Sequence, residues 1–376
     1  MKITFIIPHA DLSGGIRVIA IYAERLKKRG HDVFVVSAPK PRPTLKQQAK
    51  SVLKQKGWIP YNNDEPSHFD NSIVPLKVLK RYCPIVDADV PDADVVIATW
   101  WETAEWVAKL SKSKGAKVYF IQHYEVFDYL PKQRVEATWS LPMHKIVVAE
   151  WLAEIAAKKY KDNNVSYVAN GIDTNQFFAI PRGKQTVPTV GLMYAEELWK
   201  GCDISLKAFE LAKKMVPDLH LVTFGRCSEV ETLPLPSGSE HYLQPSQSLL
   251  QETYSRCDVW LFGSRFEGFG LPILEAMACR TPVIATPAGA APELLEQGGG
   301  ILVKPEDPAD MATAIQTICQ LSEADWKMMS DRAHGTAIGY TWEDATDRFE
   351  AGLHTAIDRQ KRGDFSYSKT EITSKR

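Results

Sequence analysis

Short runs of β-branched and aromatic residues alternate with helix-length amphipathic segments, and this alternation restricts the fold more than any other feature of the chain. In the first half of the chain the runs lie at 3–8, 32–38, 94–99, 117–122, 145–149 and 165–169. The second half repeats the rhythm with runs at 189–194, 219–225, 239–244, 258–264, 282–286 and 300–303. Strands that alternate with helices build parallel sheets from βαβ units. The sequence therefore predicts an α/β fold.

A polar stretch with proline and glycine at residues 175–188 interrupts the alternation and is the predicted linker. A chain of 376 residues is also long for a single hydrophobic core. We therefore expect two Rossmann-like domains, residues 1–172 and residues 173–339, that face each other across a cleft. An amphipathic helix is predicted at 340–360, followed by a flexible tail at 361–376. Ligands of such sheets bind beyond the carboxyl ends of the strands.

The composition argues against several classes of protein. The net charge of −1 is not that of a dedicated nucleic-acid binder, and we expect no nucleic-acid partner. No window of about 20 apolar residues is present to span a membrane, and the first apolar run is too short for a signal peptide. The six scattered cysteines show no metal-ligand spacing and suit a reducing compartment. The expectation is a cytoplasmic protein.

The stretch EGFGLPILEAMA, at residues 267–278, has the character of a ligand-binding loop. Glu267 follows a predicted strand, while Pro272 suits a first helical position and places Glu275 about one turn inside a helix. Gly268 and Gly270 allow close backbone approach, and a helix N-terminus attracts an anion such as a diphosphate. The two glutamates can then accept hydrogen bonds from sugar and ribose hydroxyls. The spacing fits equally well a solvated loop glutamate and a helix glutamate that complements the dipole.

This stretch resembles the Glu-x7-Glu signature of retaining glycosyltransferase family 4, which has the GT-B fold. Further segments resemble that family in the same order along the chain: GGIRV, ADVVIAT, the histidine after VYFIQ, VANGID, KGCDISLKAF and YSRCDVWLFGS. The resemblance implies transfer of a hexose from a nucleotide diphosphate sugar, with UDP-sugars such as UDP-glucose favoured. The implied acceptor is a glycan or a lipid-linked molecule in polysaccharide biosynthesis, and no metal or other cofactor is implied. Residues 1–172 then face the acceptor, residues 173–339 bind the nucleotide sugar, and the helix at 340–360 joins the first domain.

The resemblance also implies roles for individual residues. Glu267 and His123 would contact the transferred sugar as catalytic residues. Lys200 would neutralise the departing diphosphate, and Glu275 would bind the nucleotide ribose. The other donor-binding residues that it implies are Gly14, Gly15, Leu243, Gly268, Phe269, Gly270 and Leu271.

Aromatic residues near two predicted strand ends are candidates for the acceptor site. Trp100 and Trp101 follow the strand at 94–99, and Tyr124 follows His123. Aromatic faces stack on sugar rings, and core packing is the alternative.

Two Asp-x-Asp triplets have the pattern with which metal-dependent glycosyltransferases of another fold hold divalent cations. Asp87–Asp89 and Asp92–Asp94 precede the strand at 94–99 and therefore lie at its amino end. We expect a solvated strand entry there and no metal site.

Two positions depart from the family pattern. Tyr194 stands where the family usually has an arginine, six positions before the Lys-Gly lysine. The diphosphate contact would then depend on Lys200 alone, or Arg226 or Arg265 would compensate. Arg280 stands where the family commonly has glycine, which costs about 1–2 kcal/mol if the backbone there is left-handed.

A basic amphipathic helix is predicted within residues 40–56. Its lysines, Lys46, Lys50 and Lys54, repeat every four positions and lie opposite Leu45, Ala49, Val52 and Leu53. Such a helix suits peripheral contact with the anionic inner face of a membrane. The alternative is a solvated helix packed on the first domain.

Two functional alternatives stay open on the sequence. One is a different enzyme on the same fold, such as a sugar-nucleotide epimerase or a phosphorylase. The other is a non-catalytic nucleotide-sugar-binding partner subunit, which Tyr194 and Arg280 at unusual positions suggest.

Overall fold

A computed structural model of the chain describes residues 1–54, 57–60, 66–82 and 84–365. The chain forms two compact units. Unit 1 consists of Met1–Val147, Leu152–Val168 and the residues from Thr346 onward, and unit 2 consists of Val148–Trp151 and Ala169–Ala345.

Unit 1 is built on a parallel sheet of seven strands in the order β3-β2-β1-β4-β5-β6-β7. The strands are β1 (Lys2–Ile7), β2 (Asp32–Ser37), β3 (Leu76–Val78), β4 (Val95–Ala98), β5 (Ala116–Ile121), β6 (His144–Val147) and β7 (Ser166–Tyr167). The α-helices of this half are α1 (Gly14–Lys28), α2 (Leu45–Leu53), α3 (Trp101–Lys109), α4 (Lys132–Thr138) and α5 (Glu150–Tyr160). Strand β1 is buried from its second residue to its end, as expected for a parallel sheet covered on both faces.

Unit 2 is built on a parallel sheet of six strands in the order β10-β9-β8-β11-β12-β13. The strands are β8 (Thr189–Tyr194), β9 (His220–Gly225), β10 (Glu240–Leu243), β11 (Val259–Phe262), β12 (Val283–Ala285) and β13 (Gly300–Leu302). The helices are α6 (Cys202–Lys213), α7 (Gln247–Ser255), α8 (Leu271–Ala278), α9 (Ala291–Leu295), α10 (Pro308–Gln320) and α11 (Glu323–Ile338). The last helix, α12 (Trp342–Arg362), begins in unit 2 and continues into unit 1 from Thr346. Residues of β8, α6 and α10 share one buried core.

The predicted α/β fold with two parallel sheets is confirmed, because every predicted run overlaps an observed strand. The sequence did not reveal β3, a three-residue strand at the edge of its sheet whose Lys77 and Val78 are exposed. An edge strand of this kind lacks the apolar pattern that burial imposes on inner strands.

The last helix contributes to the core of unit 1. Phe349 of α12 stacks on Tyr22 with ring centroids 4.4 Å apart and meets Phe120 edge-on at 5.1 Å. Glu350 accepts hydrogen bonds from Arg29 and pairs with His31. Helix α12 ends at Arg362 and so includes the first two residues of the predicted tail at 361–376, of which residues 366–376 lie outside the described residues.

No helix in the part of the chain that the structure describes has both the length and the apolar character to cross a membrane.

Arg280 adopts the left-handed conformation on which its sequence-based cost depends, with φ of +61° at the end of α8. Its side chain offsets that cost by joining three parts of unit 2. Nε donates to the carbonyl of Ala179 at 3.0 Å, and Nη1 donates to Asp331 of α11 at 2.5 Å. Arg280 thus has an unfavourable backbone conformation, and its side-chain contacts hold residues near 179 against α8 and α11.

His144, the first residue of β6, is held neutral inside unit 1. Its side chain is buried, Arg359 Nη1 lies 3.0 Å from its Nδ1, and Nε2 pairs with Ser166 Oγ at 2.9 Å. Burial first, and the charge of Arg359 second, lower the pKa of His144 from 6.5 to about 4. The unfolded chain therefore binds a proton between pH 6.5 and pH 4 that the folded chain does not bind.

We predict that acid destabilises unit 1 through His144. The free energy of unfolding should be highest above pH 6.5, where His144 is neutral in both the folded and the unfolded chain. It should fall by about 3 kcal/mol in total as the pH drops toward 4. Urea unfolding followed at several pH values between 7 and 4.5 measures this loss, and a His144→Gln variant should lose less stability over the same interval. Equal pH dependence of the two proteins would contradict the assignment.

We predict that Arg280→Ala destabilises unit 2 more than Arg280→Gly does. Both variants lose the contacts with Ala179 and Asp331, but only glycine relieves the left-handed backbone, and the difference should be about 1 kcal/mol. Urea unfolding at pH 7 measures it. If the two variants are equally stable, the backbone strain at this position is not significant.

Candidate active site

Lys200 and Glu267 form an ion pair at the carboxyl edge of the unit 2 sheet. Lys200 Nζ donates to Glu267 Oε1 at 2.7 Å, and Ser264 Oγ donates to the same oxygen at 3.0 Å. The lysine lies in the connection after β8 and the glutamate in the connection after the neighbouring strand β11. Both side chains keep part of their surface exposed, 25% for the lysine and 14% for the glutamate. A ligand can therefore reach either group.

Two glycines bring these two connections into contact. Gly201 has φ of +59°, and a Cβ on it would lie 1.8 Å from the carbonyl oxygen of Gly263. A Cβ on Gly263 would lie 2.3 Å from Ser205 Oγ. The backbone N–H of Arg265 also donates to the carbonyl of Trp199 at 2.8 Å. A residue larger than glycine at either position would separate the loop of Lys200 from the end of β11.

A small pocket lies at this edge of the sheet. Residues of β8 and β11 line it together with Lys200, Gly263, Ser264 and Pro272. Pro272 belongs to the first turn of α8, so the pocket adjoins the N-terminus of that helix. Positive potential from the helix and from Lys200 meets here.

Glu275 lies one turn inside α8 and is only 7% exposed. Its Oε2 accepts a hydrogen bond from the hydroxyl of Tyr254 at 2.8 Å. A buried carboxylate needs such donors to remain stable. Both sequence-based interpretations of Glu275, contact with the ribose and complement to the helix dipole, stay predictions.

The Gly-Phe-Gly segment before α8 is held from both sides. Trp151 Nε1 donates to the carbonyl of Gly268 at 2.9 Å. The N–H of Ala290 donates to the carbonyl of Phe269 at 2.8 Å, and a Cβ on Gly289 would lie 2.5 Å from that oxygen. The Phe269 side chain is buried and packs in the core, so only the backbone of this residue is available to contact a nucleotide-sugar donor.

The remaining predicted donor residues of unit 2 lie around the start of α8 and at the end of β10. Gly270 caps α8 with φ of +100°, and Leu271 is the first residue of the helix. Leu243 is the last residue of β10 and is 51% exposed. Leu243 is separated from β8 by strand β9 in the sheet order.

Arg265 has a structural task beside Glu267. Its guanidinium binds both carboxylate oxygens of Asp203 at 2.8 Å and also pairs with Glu306 at 2.6 Å. These contacts raise its pKa, with the hydrogen bond to Asp203 as the largest cause. Arg265 therefore fixes the loop that carries Glu267, and two carboxylates of the protein itself bind its charge.

Tyr194, at the position where the resemblance leads one to expect arginine, is a buried core residue. It ends β8, and its hydroxyl donates to the carbonyl of Leu233 at 2.7 Å and accepts from the N–H of Val230 at 3.0 Å. Its hydroxyl thus orders the connection between β9 and β10.

In unit 1, the predicted glycine pair and histidine lie at the carboxyl edge of the sheet. Gly14 and Gly15 open α1, which follows β1, and no atom would obstruct a Cβ on Gly14 within 4 Å. His123 lies in the connection after β5, with its ring 4.9 Å from that of Phe127. Gln122 Nε2 donates to the carbonyl of Gly15 at 3.2 Å and links the two segments.

Glu125, which the sequence analysis did not single out, stabilises the His123 loop. It is buried, and its Oε2 accepts from the backbone N–H of Trp101 at 2.9 Å, at the start of α3. Burial raises the pKa of this carboxyl group well above its usual value. A charged residue two positions after a histidine, in the loop behind a buried strand, is the signal that would have found it.

The aromatic candidates for the acceptor site differ in exposure. The Trp101 ring is 4% exposed and lies under the guanidinium of Arg134, an environment that matches core packing, the alternative to acceptor contact. Trp100, the N-cap of α3, is half-buried. The Tyr124 hydroxyl lies within 3.0 Å of the Tyr160 hydroxyl and accepts from Lys159 at 2.6 Å, which commits it to a local network.

The Asp-x-Asp triplets bind donors of the protein itself. Asp87 accepts from the N–H of Ser111, Asp89 from that of Val86 and Asp94 from that of Lys2, while Asp92 pairs with Lys114. Across the described residues, no group of three or more His, Cys, Asp or Glu side chains is arranged to hold a metal ion.

Two D-inositol 3-phosphate glycosyltransferases are similar to the chain. That of Corynebacterium kroppenstedtii is 29% identical over 209 residues, which is 48% of this chain and 45% of that protein. That of Geodermatophilus obscurus is 37% identical over 111 residues, which is 29% of this chain and 24% of that protein. The chain thus matches less than half the length of these relatives.

Solved structures share the fold over most of the chain. The crystal structure of Anabaena Alr3699/HepE in complex with UDP superposes with a TM-score of 0.71 at 18% identity and covers 94% of this chain and all of that one. Sucrose-phosphate synthase from Thermosynechococcus elongatus superposes with a TM-score of 0.70 at 17% identity and covers 97% of this chain and all of that one. The two-sheet fold is therefore that of the GT-B glycosyltransferases.

Two family models match successive parts of the sequence. The model described as Glycosyltransferase Family 4 matches residues 12–176, and the model described as Glycosyl transferases group 1 matches residues 174–333. Together they span residues 12–333, which include every strand except β1, and the chain belongs to the glycosyltransferases that these two models describe.

Proposed function

We propose that this chain is a retaining glycosyltransferase that moves a hexose from a nucleotide diphosphate sugar, preferably a UDP-sugar such as UDP-glucose, to a glycan or lipid-linked acceptor in polysaccharide biosynthesis. The observation that carries the proposal is the Lys200–Glu267 pair beside the N-terminus of α8, with Glu275 buried one turn further on. The UDP in the HepE structure and the glycosyltransferase names of the relatives support the donor class.

The chemistry follows from the charges at this edge. Cleavage of a sugar–phosphate bond leaves negative charge on the nucleoside diphosphate, and preorganised positive groups lower the barrier to that step. Lys200 and the N–H groups at the start of α8 supply this charge, so the proposal needs no metal. The role of His123, contact with the transferred sugar, is part of the same proposal.

Donor binding must rearrange the ion pair that the structure shows. Lys200 is bonded to Glu267 at 2.7 Å, and a diphosphate offers it a stronger, doubly charged partner. When Lys200 turns to the phosphate, Glu267 becomes available to accept a hydrogen bond from a sugar hydroxyl. Ser264, which bonds the same carboxylate oxygen, keeps the glutamate in place during the exchange.

We predict that the two glutamates have separable effects. Glu267→Gln should lower the rate of UDP release from UDP-glucose about 100-fold while the UDP affinity stays within threefold of wild type, because this residue faces the reacting sugar. Glu275→Gln should weaken UDP binding about tenfold, because a charged hydrogen bond to the ribose becomes a neutral one. Donor turnover and calorimetric titration with UDP measure the two effects.

Glu296→Gln, an exposed change in the same unit, is the matched control and should change neither quantity. If both glutamate variants only raise the donor KM, the division of roles is wrong. A wild-type chain that binds UDP-glucose without turning it over would indicate a non-catalytic subunit. Conversion of free UDP-glucose into its epimer would indicate an epimerase.

A second part of the proposal is that α2 contacts an anionic membrane surface. Its apolar residues point outward, since Leu45 is 83%, Leu53 84% and Val52 51% exposed. The buried residue of the helix is Gln48, whose amide exchanges hydrogen bonds of 2.8 and 3.0 Å with the backbone of Ile59. The alternative expectation, a solvated helix packed on the first domain, is tested by the vesicle experiment below.

Charge on the same helix favours an anionic surface. Lys46, Lys50 and Lys54 are exposed, and residues 40–59 contain no acidic side chain. Residues 55 and 56 of the predicted segment lie outside the described residues. Each basic residue near such a surface contributes about 1 kcal/mol, and exposed leucines add apolar contact.

We predict that the chain sediments with vesicles containing phosphatidylglycerol and not with neutral phosphatidylcholine vesicles. Lys50→Gln should lower the binding about fivefold, and a Leu45→Gln, Leu53→Gln double variant should lower it further. Ile180→Gln, which changes a residue of similar exposure in unit 2, serves as the control. Equal binding to neutral and anionic vesicles would refute membrane contact by this helix.

A further inference from the structure

The arrangement of cations at the unit 2 edge raises the question of what binds the second charge of a diphosphate. Tyr194 occupies the position of the arginine that the resemblance leads one to expect, and its hydroxyl is bonded to the backbone of Val230 and Leu233. Its ring is 1% exposed, so it presents nothing to a ligand. A second cation at this edge would have to come from another connection.

The connections that leave β8, β9 and β11 at this edge contain one basic residue each. Lys200 follows β8, Arg226 follows β9 and Arg265 follows β11. Arg265 is bound by Asp203 and Glu306, and Lys200 is bound by Glu267. Within the described ranges of the chain, the Arg226 guanidinium has no hydrogen bond or ion pair, and the residue is exposed. Arg226 is therefore the arginine of these connections that remains available.

The backbone of Arg226 is well fixed even though its side chain is unpaired. Gly225 pairs in register with Tyr194, and a Cβ on Gly225 would lie 2.3 Å from the Tyr194 carbonyl oxygen, so β9 approaches β8 closely just before Arg226. Gln244 donates its backbone N–H to Gly225 at 2.8 Å and its side-chain amide to the Arg226 carbonyl at 3.2 Å. Neighbouring strands are about 4.8 Å apart, and Arg226 leaves the sheet next to the strand that leads to Lys200.

We propose that Arg226 takes the place of the arginine missing at Tyr194 and binds the diphosphate of the donor together with Lys200. The proposal rests on the proposed function, because it assigns a new residue to the same nucleotide-sugar site. Guanidinium groups bind phosphate oxygens in a bidentate manner, which a lysine does not. Tyr194 contributes indirectly, by ordering the backbone of the connection that carries Arg226. In this chain the second cation thus lies at the beginning of the β9–β10 connection and not at the end of β8.

Calorimetric titrations of the full chain with UDP, UMP and uridine test this assignment. In Arg226→Gln the Kd for UDP should rise about tenfold or more, while the Kd for uridine stays within twofold of wild type, since only the phosphates lose a partner. Arg226→Lys should recover part of the UDP affinity, because it retains the charge. Lys214→Gln removes one positive charge from the opposite end of α6, and it should leave all three affinities unchanged.

The outcomes separate this inference from the proposed function. If wild type binds UDP and the Kd of Arg226→Gln for UDP is within twofold of the wild-type value, the role of Arg226 is wrong. The proposed function is not affected by that result. Equal losses for UDP and uridine would also overturn the role of Arg226, because they would indicate a contact with the nucleoside or a change in the fold. Wild type that binds no UDP would overturn the proposed UDP-sugar donor and the inference with it.

Discussion

The close backbone contact between Gly201 and Gly263 is the constraint on which the candidate site depends. A Cβ on Gly201 would lie 1.8 Å from the Gly263 carbonyl oxygen. The connections after β8 and β11 can therefore come into contact only if glycine occupies these positions. Because they meet, Lys200 reaches Glu267 across two adjacent strands. The geometry of the proposed donor site is therefore set by backbone packing, and the charged residues are placed by it.

The basic residues at this edge of the sheet differ in how they are paired with carboxylates, and the arrangement suits an anionic ligand. The Lys200–Glu267 pair is partly exposed and can exchange partners, whereas Arg265 is bound by two carboxylates and serves the loop itself. Arg226 remains unpaired among the described residues. Lys200 and Arg226 can therefore turn to a phosphate, whereas Arg265 is held by its two carboxylate partners.

The sequence was sufficient for the fold and for the neighbourhood of the site, because β-branched runs and glycine positions report directly on strands and close contacts. It was insufficient where long-range contacts decide. The burial of Tyr194 and Trp101 depends on which elements pack over them. The sequence alone does not distinguish a buried residue from an exposed one at the end of a strand or the start of a helix. The Lys200–Glu267 pair joins residues far apart in sequence. Arg280 shows the opposite case, since its left-handed backbone could be anticipated but its contacts could not.

Thermal unfolding with UDP-glucose, GDP-mannose or ADP-glucose present tests the central claim most directly, since a ligand that binds only the folded chain raises its Tm. The account predicts that UDP-glucose raises the Tm of wild type more than the other two donors do, and that Lys200→Gln abolishes most of this rise. A Tm that no nucleotide sugar changes, or a rise that Lys200→Gln retains in full, would contradict the placement of a donor diphosphate at the carboxyl edge of the second sheet.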